Sequence, residues 1–180
     1  ETVFDWMGHL FGTLSGRVVL DLFAGSGAMG LEAASRGATE VDLVERSRES
    51  AARIGEALKR LKAPASVRVH CADAFAFLAE VPEGRYDWVV IDPPYAEDLQ
   101  LRAIAAALPA LRGDGLIYVE QPKTPVSAEA LRRLGLTRVR LSVAGEVVFE
   151  LLTRMDSPMA AQAKFAKKIL RDMQQKGVEL

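Results

Sequence analysis

Short apolar runs alternate along most of the chain with segments whose apolar residues recur every three or four positions. That alternation predicts strands and helices in βα units, and so a parallel sheet with helices on both faces. Val3, Phe4, Met7 and Phe11 share one face of an amphipathic helix over residues 1–12. The first strand is predicted at 18–23, and its helix runs from about Gly27 to Arg36 with Gly37 as the stop. Residues 40–45 make the second strand and 50–61 its helix, closed by Pro64. The third strand is 66–71, followed by a short helix carrying Phe75, Phe77 and Leu78. The fourth is 86–92, with an alanine- and leucine-rich helix over 97–111 that Gly113 and Gly115 end. Residues 116–120 are the fifth strand and 127–134 the fifth helix.

The rhythm then changes. Residues 137–143 and 147–153 are strands joined by Ala144-Gly145-Glu146, a connection short enough for an antiparallel hairpin. Five βα units and a terminal hairpin give an α/β, Rossmann-like, seven-stranded and mostly parallel sheet. This differs from the twice-repeated βαβαβ of a dinucleotide-binding fold. Residues 1–154 form one domain, and Asp156-Ser157-Pro158 sets off a helical tail over 155–180, with Ser157 as cap and Pro158 at the first helical position. In the tail Phe165, Ile169 and Met173 share a face, and Lys164, Lys167, Lys168 and Arg171 lie around it. This pattern suits a solvated helix packed by a narrow apolar stripe; a nucleic-acid or partner contact is the alternative.

Composition narrows the class. A chain of 180 residues, 49% hydrophobic and 26% charged, is one globular domain with a sizeable core. A formal net charge of -1 is not that of a strongly basic nucleic-acid binder, although it permits a local basic patch. Cys71 has no second cysteine to pair with, which points to a reducing, cytoplasmic compartment. With His9 and His70 it forms no metal-ligand cluster, so no metal is expected. His70 and Cys71 sit in an alternating apolar run and are expected in the core. No apolar run approaches the roughly 20 residues needed to span a bilayer. Glu1-Thr-Val-Phe4 has neither an initiator methionine nor a signal-peptide pattern; it reads as a helix entered part-way, and an upstream segment is expected.

The chemistry begins at Val18-Val-Leu-Asp-Leu-Phe-Ala-Gly-Ser-Gly-Ala-Met-Gly30, an apolar strand that breaks into a glycine turn and opens a helix. Gly25, Gly27 and Gly30 spell G-x-G-x-x-G, and Glu45 ends the next strand, which also satisfies the fingerprint for NAD. A pyrophosphate, however, wants bare backbone N–H groups at the helix N-terminus. Asp21, four residues before the first glycine, would repel it but could bind an ammonium, directly or through water. S-adenosylmethionine carries an ammonium, a ribose and an adenine, and no phosphate. Glu45 can take both ribose hydroxyls, since an ionised carboxylate only accepts. Asp73 can accept from the adenine amino group. Three acids at successive strand ends share the carboxyl edge of a parallel sheet, where ligands bind; taken singly, each could merely cap a loop or helix. The candidate cofactor site is Asp21, Phe23, Gly25, Gly27, Glu45, Arg46, Asp73 and Ala74.

Asp92-Pro-Pro-Tyr95 opens at the same edge. Two prolines fix φ and cannot donate hydrogen bonds, making a stiff platform with free carbonyls. The exocyclic amine of a nucleobase is a poor nucleophile because its lone pair is delocalised into the ring. The Asp92 carboxylate and the Pro93 carbonyl can accept both its N–H bonds and turn the lone pair toward a methyl donor. Tyr95 can stack on the base, which is worth about 1–3 kcal/mol. Alone, Asp-Pro-Pro would be a common turn; beside the glycine loop, Asp92, Pro93 and Tyr95 are the candidate catalytic residues.

These motifs resemble those of class I amino-methyltransferases and, more narrowly, of the RsmD family of 16S ribosomal RNA guanine-N2 methyltransferases. The resemblance rests on residues 1–6, 20–38, Val44-Glu45, Asp92-Pro-Pro-Tyr95, 117–120 and the 145–148 hairpin, and spans about residues 1–154. It implies S-adenosylmethionine as donor and a guanine of 16S ribosomal RNA as target, in the 30S subunit or an assembly intermediate. A monomer is expected. Two departures stand out: the family's basic stretch ahead of Glu-Thr is not present, and the lysine-bearing tail beyond Arg154 is not matched to the family pattern, which leaves its role open. Asp-Pro-Pro-Tyr is shared with adenine-N6 methyltransferases, which remain an alternative, as does an NAD-dependent oxidoreductase. A DNA enzyme would normally carry a separate recognition domain, for which these residues leave no room, and a small-molecule enzyme a lid, which no long insertion between strands supplies.

Overall fold

The computed structural model describes residues 3–94 and 99–180. Its elements are α1 (Val3–Phe11), β1 (Val18–Asp21), α2 (Ala28–Ser35), β2 (Glu40–Glu45), α3 (Arg48–Arg60), β3 (Val67–Cys71), α4 (Ala74–Ala79) and β4 (Tyr86–Ile91). They continue with α5 (Gln100–Ala107), β5 (Leu111–Pro122), α6 (Ala128–Arg133), β6 (Leu136–Ala144), β7 (Val147–Arg154) and α7 (Lys167–Gln175). The seven strands form one sheet in the order β3-β2-β1-β4-β5-β7-β6. β7 runs antiparallel to both β5 and β6, and the other pairings are parallel. This is the seven-stranded, mostly parallel α/β architecture that the alternating pattern predicts, in the class I methyltransferase form that the resemblance implies.

Strand alternation builds two cores. Leu20, Val89, Ile91 and Ile117 face one way and pack on α4, α5 and α6 through Leu78, Ala103, Ile104 and Leu131. Val19, Trp88, Val90 and Leu116 face the other way and pack on α1, α2 and α3 through Trp6, Met7, Leu10, Ala33 and Ile54. A period of two along each strand produces this division. The chain order reverses between β1 and β4, and an open α/β sheet offers a crevice at such a switch point.

Several boundaries differ from expectation for identifiable reasons. β1 stops at Asp21, two residues before the expected end, although Leu22 still donates to Val90 O and Ala24 to Val44 O. β5 starts at Leu111, well before the expected 116. Its register with β4 shifts between Tyr86 and Trp88, so Gly113 and Gly115 lie in an irregular part of the strand. There a Cβ on Gly115 would come within 2.7 Å of Leu111 Cδ1. Ser157 does cap, its Oγ accepting from Met159 N–H, but the capped element is a 3-10 turn over Pro158–Gln162, and α7 begins only at Lys167. The tail packs on the hairpin, with Phe165, Ile169 and Met173 against Leu141, Val143 and Val148. The expected core placement of His70 and Cys71 is wrong. β3 is an edge strand, so Cys71 is exposed, and half-buried His70 lies 2.8 Å from Asp42 Oδ1.

Among the described residues, three paired clusters bring buried charge into the sheet. Asp42 accepts from Arg68 Nε and the Tyr86 hydroxyl, while Asp87 accepts from Arg112 and the N–H of Val18. The third is the most enclosed. Glu150 accepts from Arg138 Nε at 2.6 Å, from Gln121 Nε2 and from the N–H of Val126, and Arg138 donates to Val126 O. This network ties the hairpin to the loop that follows β5. Glu150→Ala would strand the buried guanidinium and release that loop. It should lower unfolding stability by about 3–5 kcal/mol in a denaturant titration; a loss below about 1 kcal/mol, the usual scale of an exposed pair, would contradict the assignment.

Candidate active site

The crossing from β1 to α2 is built from backbone that only glycine fits well. Gly25 and Gly27 have φ of 56° and 81°, the left-handed region. Gly27 begins α2 without a side-chain cap. At Gly30 an added Cβ would lie 2.7 Å from Leu43 Cδ2, so the helix packs closely against β2 and a side chain here would force the buried Leu43 to shift.

Two carboxylates hold this loop. Asp21 Oδ2 accepts from the N–H of Gly30 at 3.0 Å in the first turn of α2. Glu45 Oε2 accepts from the N–H of Gly25 and Oε1 from the N–H of Ser47, both at 2.7 Å. Glu45 therefore fastens the glycine loop to the turn that starts α3. Each of its oxygens keeps a lone pair for a further donor.

A cleft of about 630 Å³ opens at this edge, within the usual range for small-ligand sites. Of the predicted residues it is lined by Phe23, Gly25, Glu45, Arg46, Asp73, Ala74, Asp92 and Pro93. Asp21 and Gly27 are not among the described residues lining it. Asp21 lies behind the loop, 3% exposed, and Gly27 faces Ile54 and Leu43. Asp73 caps α4, its Oδ1 accepting from the N–H groups of Phe75 and Ala76 and leaving Oδ2 available. Tyr95 lies outside the described residues.

The walls also include Phe75, Pro94, Leu99 and Arg102, which were not among the candidate site residues. The Arg102 guanidinium lies 3.8 Å from the centre of the Phe75 ring, joining α4 and α5 over the cleft. Phe75, two residues after Asp73, was within reach of the sequence argument. Arg102 carried no signal, because α5 brings it to the cleft only in three dimensions.

Two acids here hold protons unusually tightly. Burial raises Asp21 to about 7 against the bond from Gly30, and the charges of Asp92 and Glu45 add to the rise. Burial and then the charge of Glu120 raise Asp92 to about 6, although its side chain is open to the cleft. An acid whose pKa is higher folded than unfolded favours folding at low pH and loses that contribution as pH climbs toward the folded value. Asp21→Asn keeps an oxygen for Gly30 and removes the charge. In denaturant titrations across pH 4–7, where Asp21 titrates, the variant should lack a decline in stability that the parent shows. Equal slopes would contradict burial of a titrating Asp21.

The family model described as conserved hypothetical protein 95 matches residues 1–153. The chain is 33% identical over 162 residues to ribosomal RNA small subunit methyltransferase D of Escherichia coli K12, covering 86% of this chain and 75% of that one. It is 34% identical over 128 residues to the same-named protein of Haemophilus influenzae, covering 68% of this chain and 64% of that one. A conserved hypothetical protein of Streptococcus pyogenes superposes with a TM-score of 0.73 at 28% identity, over 84% of this chain and 92% of that one. A SAM dependent methyltransferase from Aquifex aeolicus shares the fold at a TM-score of 0.63 and 14% identity, over 82% and 87% of the two chains. The chain thus belongs to the conserved hypothetical protein 95 family, the RsmD methyltransferases that its motifs resemble.

Proposed function

We propose that this protein transfers a methyl group from S-adenosylmethionine to the exocyclic N2 amine of a guanine in 16S ribosomal RNA. The observation that carries the reading is the convergence of Glu45, Asp73 and Asp92 on one cleft beside the glycine loop. Family membership supports the reaction class. The target is the small-subunit RNA within the 30S particle or an assembly intermediate, met by a monomer in the cytoplasm. No helix among the described residues is long and apolar enough to cross a membrane.

The residues present fit this donor better than a dinucleotide. The N–H groups of Gly25 and Gly30, which a pyrophosphate would need, already donate to Glu45 and Asp21. What remains on the walls is acceptor-rich. Glu45 has lone pairs for ribose hydroxyls, Asp73 Oδ2 for an adenine amine, and Phe75 and Ala74 supply flanking apolar surface. S-adenosylmethionine, when bound, supplies a methyl group on a cationic sulfur, and its positive charge suits a site rimmed by carboxylates.

On the acceptor side, Asp92 and the Pro93 carbonyl take the two N–H bonds of the guanine amine and aim its lone pair into the cleft. Pro93 is buried and rigid, so the platform does not rearrange as the base enters. Much of the rate comes from this positioning. Asp92 is ionised above about 6 and takes the proton lost from the methylated nitrogen. Tyr95 supplies the stacking surface for the base.

Tritium transfer from labelled S-adenosylmethionine to 16S RNA and to 30S particles, followed by nucleoside analysis, tests the reading. Labelled N2-methylguanosine supports it; labelled N6-methyladenosine, or no transfer to either substrate, overturns it. Asp92→Ala should reduce transfer by about 10²-fold or more, the scale of lost general-base help, while donor affinity stays near that of the parent. In the parent, kcat/KM should fall as pH drops through about 6. A profile flat from pH 5 to 8, across the Asp92 titration, would contradict a required carboxylate.

A further inference from the structure

We infer that α7 is a phosphate-binding arm that holds the RNA substrate beside the cleft; this rests on the reading of the protein as an RNA methyltransferase. Five of the chain's 23 lysines and arginines fall between Lys164 and Lys176, against one acid, Asp172. Lys164, Lys167, Lys168 and Arg171 are all exposed, and none is in an ion pair among the described residues. The basic content of the tail contrasts with the net negative charge of the whole chain.

The helix does not need these cations for its own stability. Lys167 and Lys168 occupy its first turn, where the macrodipole favours acids and opposes positive charge. Its attachment is apolar: Met173 is buried, and Ile169 and Phe165 pack beside it on Leu141, Val143 and Val148. At 3.6 residues per turn, Lys167, Lys168 and Arg171 fall within an arc of about 100°, clear of the Ile169–Met173 stripe. A helix glued by one face thus presents a basic stripe on another.

The docking point places α7 on the hairpin end, at the reactive end of the sheet. Val148, against which α7 packs, pairs with Gln121 of β5, and Ile91, just before Asp92, pairs with Val119 of the same strand. The hairpin end under α7 and the Asp92 turn therefore lie at the same end of the sheet. β6 is three strands from β4, a lateral separation of about 14 Å. An RNA segment delivering a base to Asp92 reaches that far with a few nucleotides. The segment also lies beyond residue 153, where the family match ends.

The test uses the full chain and in vitro transcribed 16S RNA. Neutralising Lys167→Gln, Lys168→Gln and Arg171→Gln together should weaken RNA binding by about 10- to 100-fold at 0.1 M salt and reduce the slope of log affinity against log salt by about 2–3. S-adenosylhomocysteine affinity should be unchanged. A charge-keeping variant (Lys167→Arg, Lys168→Arg, Arg171→Lys) should bind like the parent. If the neutral variant keeps both RNA affinity and salt slope while the parent methylates the RNA, the arm is refuted and the methyltransferase reading stands. If the parent neither binds nor methylates 16S RNA, both fall.

Discussion

The glycine loop between β1 and α2 is held in place by carboxylates from two neighbouring strand ends, and the rest of the site depends on that arrangement. Asp21 takes the Gly30 N–H from behind and Glu45 takes the Gly25 N–H from the side. Each bond satisfies a donor that a helix start or tight turn leaves without a partner. The same bonds make the loop unsuited to a phosphate, since the N–H groups are spent and the surrounding charge is negative. A textual G-x-G-x-x-G match is thereby turned toward a cationic, phosphate-free ligand by two residues outside the glycines.

Sheet topology does the remaining assembly. Parallel strands end on one edge, so Asp21, Glu45, Asp73 and Asp92 follow four successive strands in sequence yet cluster in space. Clustering has an electrostatic cost: burial, with the charges of Asp92 and Glu45 acting on Asp21 and that of Glu120 acting on Asp92, raises both acids above the usual carboxylate range. The hairpin adds a second function to the fold, since β7 carries Glu150, whose buried pairing with Arg138 secures the loop after β5.

Periodicity and turn residues made the βα repeats and the final hairpin legible, because those features are local. Gly25, Glu45, Asp73 and Asp92 were legible as a cleft because strand ends share an edge whatever the details. The role of Asp21 was less so. Its position in an apolar run showed that it needed a partner, but only the close packing allowed by Gly30 shows that the partner is backbone behind the loop. Asp42, Asp87 and Glu150 gave no local sign of burial, since their arginine partners lie on other strands or loops. Arg102 reaches the cleft from α5 for a similarly nonlocal reason.

The central claim is that one carboxylate, Glu45, both braces the glycine loop and receives the ribose of the methyl donor. A crystal structure with S-adenosylhomocysteine tests it directly. The account predicts the ribose hydroxyls on Glu45 with its bonds to Gly25 and Ser47 intact, and the sulfur turned toward Asp92 and Pro93. A nucleoside lying away from Glu45, or a sulfur directed away from Asp92, would contradict it.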